Sequence, residues 1–183
     1  MFCTAPSENQ DWAATNADLI PLLQGQSAAV LVSVLGASPD CIKLIEPDGA
    51  LSFMNENGQK LMEVDDFAGL FGAQWSSLWP VDTQGMVDRA VKGALAGEAQ
   101  RFEARCPTAK GSERWWDVSV APITNAEGDV IRLISISRDI THRIRREEAL
   151  REREAELERL AWRRAKHLKQ LESQIFDAEP LKA

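Results

Sequence analysis

Residues 130–141 constrain this chain more than any other stretch. Val130, Ile131, Leu133, Ile134 and Ile136 are β-branched or leucine and interleave with Ser135 and Ser137, a pattern that favours a pleated strand. The run ends in Asp139-Ile140-Thr141, and residues 142–175 contain neither glycine nor proline, so the backbone is free to continue as one helix. A strand feeding a long helix is a mechanical joint. It predicts a compact body before it and an output rod after it.

The two sides differ in charge. The chain of 183 residues has a formal net charge of -7. Residues 1–141 hold 19 acidic and 10 basic side chains, whereas residues 142–175 hold 7 acidic and 10 basic ones. An acidic body argues against nucleic-acid backbone binding. The small, sign-mixed excess on the helix reads as a solvated coiled-coil surface, with no nucleic-acid or membrane contact. No apolar run approaches the roughly 18–20 residues of a bilayer span, and the longest, 28–35, is less than half that. The N-terminus lacks a basic region followed by an apolar one, so no secretory signal is read. Cys3, Cys41 and Cys106 form an odd set without metal-ligand spacing. That predicts reduced thiols in a cytoplasmic protein, with no disulfide framework and no metal site.

In chain order, residues 1–17 read as a poorly ordered tail around Trp12. A helical pattern follows through Leu19, Ile20, Leu22 and Leu23, with Pro21 in its first turn and a division at Gly25. Its second piece, 27–35, carries Val30, Leu31 and Val34, is apolar around most of its surface and stops at Gly36. Such a helix needs cover from its own sheet and from a second subunit. Strands are predicted over 41–46 and 50–54, joined by the turn Pro47-Asp48-Gly49. Asn55 caps a helix over 56–62, a helical patch follows at 67–71, and 75–80 forms an apolar knot. A helix then begins at Asp82 or Thr83, runs to Leu95 and closes at Gly97. Strands over 100–106, 114–123 and 129–140 complete a meander.

The predicted fold is therefore α+β: a five-stranded antiparallel sheet with helices on one face, an N-terminal flanking helix and a long C-terminal helix or coiled coil. The division is a tail and flanking helix over 1–36, a domain over 37–141, a signalling helix over 142–179 and a tail over 180–183, with Pro180 ending the helix. Within the long helix Leu150, Leu157 and Leu171 fall seven or fourteen apart. Ala161, Leu168 and Ile175 form the companion register, interrupted by Glu147, Glu154 and Arg164. A seam with charged interruptions suits a moderately stable homodimer; a single helix packed back on its own domain is the alternative.

Several motifs in this order resemble the PAS family. Ser38-Pro39-Asp40-Cys41-Ile42-Lys43 opens the first strand, Pro47-Asp48-Gly49 makes the hairpin, and Phe53-Met54-Asn55 with Gly58 begins the first helix. Pro122-Ile123 leads to a last turn that carries Glu127-Gly128 where the family often has aspartate before glycine. Ser137-Arg138-Asp139-Ile140-Thr141, followed by Arg143 and Glu147-Glu148, is similar to the Asp-Ile-Thr exit of bacterial sensor kinases. The resemblance covers about residues 36–145. It implies a module without catalysis of its own, which dimerises through an N-terminal helix and the outer sheet face and signals through its last strand into a coiled coil. The implied partners are a histidine kinase, a response-regulator-type protein or a fused output domain.

Within that resemblance Leu133, Ser135 and Ser137 face the helices and an internal pocket, together with Asn55, Met62, Phe67, Trp75, Trp79, Phe102 and Trp116. Ile134 and Ile136 face outward, and with Val30, Leu31, Val34, Leu150, Leu157, Leu168 and Leu171 they are the candidate dimer contacts. Asp139 either pairs with Arg138, Arg114 or Arg132, or caps the long helix, and both roles can coexist. Ile140 and Thr141 complete the joint.

No cofactor is expected. The reactive cysteine context of flavin photoreceptors of the LOV type is missing, and the histidines, His142 and His167, both fall in the output helix, away from any haem pocket. Trp75, Trp79, Trp115 and Trp116 offer flat surfaces for a non-covalent FAD, or else fill a small core. Neither histidine has a nucleophile near it in sequence, and no carboxylate pair is recognisable.

Overall fold

The computed structural model describes residues 27–178. The readings of the tail around Trp12, of the helix before Gly25 and of the stop at Pro180 lie outside the described residues. Helix α1 (Ser27–Ala37) precedes the hairpin of β1 (Cys41–Ile45) and β2 (Leu51–Met54). At the hairpin tip Gly49 adopts φ 89°, a conformation costly to other residues, and the Asp48 carboxylate accepts a hydrogen bond from the Ala50 amide. Asn55 caps the short helix α2 (Glu56–Leu61) by accepting from the Gly58 amide.

The helical patch expected at 67–71 is one 3-10 turn, Phe67–Gly69, capped by Asp66. A second, Trp75–Leu78, is the apolar knot. Helix α3 (Val81–Leu95) starts slightly earlier than its apolar pattern predicts, because the Pro80 carbonyl already accepts from the Thr83 and Gln84 amides. Strands β3 (Gln100–Arg105), β4 (Trp115–Thr124) and β5 (Val130–Asp139) form the meander, and α4 (Thr141–Ala178) leaves from its end.

The fold is the expected α+β arrangement: one five-stranded antiparallel sheet in the order β2-β1-β5-β4-β3, with an N-terminal helix and a long C-terminal one. The last strand is thus the central one, with β1 on one side and β4 on the other. Helix α3 packs on β3, β4 and β5. Between sheet and helices lie Ile45, Leu51, Trp75, Val87, Trp116, Val118, Val120 and Leu133, all essentially solvent-free. Burying each such side chain contributes about 1.5–3 kcal/mol, so this layer dominates stability. Strand alternation decides which residues reach it: Trp116, Val118 and Val120 point in, while Trp115, Asp117 and Ser119 lie on the other face.

That outer face is not closed by α1 within one chain. Leu31, Val32 and Val34 of α1 are exposed, as is Ile136, while Val30 and Ile134 are half-buried. The helix is instead tied at its C-terminal end, where Asn55 and Asn57 donate hydrogen bonds to the Leu35 and Gly36 carbonyls. The tether fixes one end of α1 and leaves the apolar surface of Leu31, Val32 and Val34 exposed in the single chain. On α4, Leu150, Leu157, Leu168 and Leu171 are likewise exposed. Among the described residues no helix is long and apolar enough to cross a membrane.

Candidate functional site

On the covered face of the sheet the core does not close. A cavity of about 200 Å³ remains, walled on the sheet side by Lys43 of β1, Met54 of β2, Trp116 of β4 and Ser137 of β5. Trp75, Leu78 and Trp79 form its far wall. Met62, Val64 and Leu70 stand on one flank, and Cys106, Pro107, Thr108 and Ala109 on the other.

Of the residues expected at a pocket, Met62, Trp75, Trp79, Trp116 and Ser137 meet here. Asn55, Phe67, Phe102, Leu133 and Ser135 do not line it. Asn55 is spent on backbone groups of β1, α1 and α2. Phe67 packs edge-on against Phe71, and Phe102 edge-on against Trp79. Leu133 is a fully buried core residue, and Ser135 is buried beside it with its hydroxyl unpartnered.

Three lining residues with polar side chains, Lys43, Cys106 and Thr108, escaped the sequence reading. Lys43 is only 4% exposed, and its Nζ donates to Ser137 Oγ at 3.3 Å. A lysine reads as surface, yet its spacing of two from the buried Cys41 and Ile45 already places it on the inner face of β1. Cys106 sits at the end of β3, where burial pushes its thiol up to about 11 and keeps it protonated at neutral pH. Its carbonyl accepts from Trp116 Nε1 at 2.9 Å, which satisfies the buried indole and orients the ring.

The two flanks are fastened together. The Ala109 amide donates to the Met62 carbonyl at 2.9 Å, Lys110 pairs with Asp65 at 2.8 Å, and Thr108 Oγ1 donates to the Glu63 carboxylate. Hydrogen bonds from Thr108 and Ser112 hold the Glu63 carboxyl below its usual range. Glu63 itself has φ 55°, a strained backbone for a residue with a side chain.

The joint begins two residues beyond Ser137. Asp139 Oδ2 accepts from Arg114 at 2.5 Å and Oδ1 from the Thr141 amide at 2.9 Å. The ion-pair partner is thus Arg114. Arg138 instead makes a bidentate pair with the buried Asp40, and Arg132 pairs with Glu46. Asp139 also supports the first turn of α4, so pairing and capping coexist. Burial pushes its carboxyl up, but the hydrogen bonds of Thr141 and the charge of Arg114 outweigh that and hold it below the usual range.

Thr141 Oγ1 accepts from the Trp115 amide at 2.9 Å, and the Ile140 amide donates to the Trp115 carbonyl. A side-chain hydroxyl thereby takes the place of a backbone carbonyl at the end of the β4–β5 ladder, which lets the chain turn into a helix while Trp115 stays paired. Ile140 is buried at the corner. One turn on, Arg143 bridges Glu103 of β3 and Glu147. The root of α4 is therefore attached to β3, β4 and β5 together.

A flavin does not fit this site. About 200 Å³ is below the ~300–1,000 Å³ of pockets that enclose drug-sized ligands. Trp75 and Trp79 pack edge-to-face at 5.9 Å instead of forming a flat slot, and Trp115 lies on the opposite face of the sheet. Both histidines are exposed on α4. Among the described residues no cluster of three or more His, Cys, Asp or Glu side chains is arranged to hold a metal.

Sheet order, a cavity between sheet and helices, and a central last strand leading into a helix together define a sensory-domain architecture. The PAS fold family matches residues 35–145, more than half of the chain, and the protein belongs to that family. In structure it is similar to a PAS domain from Colwellia psychrerythraea, with 18% identity and a TM-score of 0.57 over 64% of this chain and 99% of that one. It is also similar to the PAS domain of an HTR-like protein from Haloarcula marismortui, with 22% identity and a TM-score of 0.53 over 67% and 99%. A domain of a sensory box sensor histidine kinase/response regulator from Geobacter sulfurreducens matches with 16% identity and a TM-score of 0.53 over 62% and 94%. No curated protein sequence is significantly similar.

Proposed function

We propose that this protein is a homodimeric, cytoplasmic signal-transduction module without catalysis of its own. Occupancy of the cavity, or a change at the dimer interface, biases the angle at which α4 leaves β5. The helix carries that bias to a histidine kinase, a response-regulator-type partner or a fused output domain. One observation carries the reading: Ser137 lines the cavity, and Asp139, two residues along the same face of β5, holds both Arg114 and the start of α4. A displacement of Ser137 has only a short length of central strand in which to dissipate before it reaches the joint.

Asp139→Ala tests this. The substitution removes the ion pair and one amide acceptor but leaves the Thr141–Trp115 bond and the core untouched. Circular dichroism is expected to show a folded domain, while disulfide cross-linking between cysteines introduced at positions 150, 157, 164 and 171 changes its pattern. Wholesale unfolding, or a cross-linking pattern identical to that of the parent, contradicts the proposal. A second reading, a ligand-free interaction domain, is favoured by the exposed apolar surface of Leu31, Val32, Val34 and Ile136. It predicts a cross-linking pattern that no small molecule alters.

A further inference from the structure

We propose that the cavity receives a small organic acid, with its carboxylate on the Lys43 ammonium and its apolar body against Trp75, Trp79 and Trp116. The inference rests on the reading of the cavity as the module's input site and names the chemistry of what enters it.

Lys43 lies on β1, hydrogen-bonded to β2 on one side and β5 on the other, and its side chain is enclosed. Lysines usually keep the ammonium in water by extending the stem along the surface; this one cannot. The head has three N–H donors but one long hydrogen bond, to Ser137 Oγ at 3.3 Å. Among the described residues no carboxylate lies within ion-pair distance of it. Asp40 and Glu46, the nearest acids in sequence, are committed to Arg138 and Arg132, and Glu63 on the cavity flank is committed to Thr108. A cation removed from water needs an anionic partner to offset its desolvation, and the protein supplies none.

At the cavity wall Lys43 and Ser137 therefore carry more polar hydrogens than the protein has acceptors to match. An anion corrects that imbalance; a neutral hydrocarbon does not. Beyond this polar end the walls are tryptophan, methionine and leucine, so the rest of the ligand is apolar. The volume limits it to a monoacid about the size of an arylacetate.

Phenylacetate and its uncharged isostere phenylacetamide distinguish these chemistries. Each is titrated into the full chain and into Lys43→Met, followed by calorimetry and by tryptophan fluorescence, since three of the six tryptophans line the cavity. The parent is expected to bind the acid at least about tenfold more tightly than the amide, the ratio a charge-assisted hydrogen bond supplies. Lys43→Met, which keeps the apolar stem without the charged head, is expected to lose or reverse that preference; Lys43→Arg is expected to retain it.

Equal binding of acid and amide by the parent overturns the proposal and leaves the cavity as an input site for neutral molecules. So does a preference that survives Lys43→Met. Failure of both compounds to bind overturns the proposal alone, because the input-site reading commits to no ligand chemistry. Lys43-dependent binding of the acid that leaves α4 cross-linking unchanged supports the acid site and removes the input-site reading alone. Should Lys43→Met not fold, the comparison of acid with amide on the parent still decides.

Discussion

At the scale of single residues, Asn55 does the most structural work for its size. Its Oδ1 accepts from the Ile42 amide at 2.8 Å and the Gly58 amide at 3.0 Å. Its Nδ2 donates to the Leu35 carbonyl at 3.0 Å and the Asp40 carbonyl at 3.1 Å. One buried carboxamide thus joins α1, β1 and α2 with its full hydrogen-bonding capacity for two acceptor and two donor contacts. Asn55→Ala leaves buried amides and carbonyls unpaired, and is expected to lower stability by about 2–4 kcal/mol in urea unfolding. A loss below about 1 kcal/mol contradicts this account. The capping role was readable from Asn55 standing before Glu56, because caps are local. The bond to Leu35, twenty residues upstream, has no local signal, and it draws Asn55 away from the cavity lining.

At the scale of elements, close packing of α2 on β1 turns on Gly58. A Cβ there meets Cys41 Sγ at 2.7 Å and Asn55 Oδ1 at 2.6 Å, both buried and fixed by their neighbours. Gly58→Ala is therefore expected to destabilise by about 1–3 kcal/mol, as overpacking does, even though alanine is the better helix former. In α3, Gly85 meets nothing nearer than the flexible Arg89 tip at 3.9 Å, so Gly85→Ala is expected to stabilise by about 0.5–1 kcal/mol. Chemical denaturation of the two variants should shift in opposite directions, and shifts of the same sign refute the packing argument. The contrast shows why the elements were legible and the cavity only half so. Strand alternation and helix spacing are local periodicities, and they located β1 to β5, α2, α3 and α4 within a few residues. They also put Trp116 and Ser137 on the inner face. The remaining wall is built by residues brought together from distant positions: Cys106, Pro107, Thr108 and Ala109 follow a strand end, and Val64 and Leu70 flank a 3-10 turn. No local period marks them. Lys43 is the exception, since its spacing of two from Cys41 and Ile45 is a local period that places it on the inner face.

At the scale of the whole molecule, an acidic body is joined to a charged rod through one attached root. Helix α4 spans 38 residues, about 57 Å at the usual rise, yet its described contacts with the body are made near its first turns by Thr141 and Arg143. Beyond that point its leucines face solvent in the single chain. Helices draw most of their stability from packing, so a rod of this length with an exposed Leu150–Leu157–Leu168–Leu171 stripe calls for a second helix. If the proposed homodimer forms through that seam, light scattering will give twice the chain mass of 20.3 kDa. Leu157→Asp combined with Leu168→Asp will return the particle to a monomer and reduce helical ellipticity. Because these side chains touch little of the single chain, the same pair of substitutions would leave a monomeric protein almost unaffected, so the outcome separates the two cases. Two acidic bodies at the same end of a parallel pair repel each other, so added salt is expected to strengthen that dimer by screening. A dimer that survives both substitutions would place the contact instead on α1 and the outer sheet face, at Leu31, Val34 and Ile136. The rod would then have to act on its partner as a single helix.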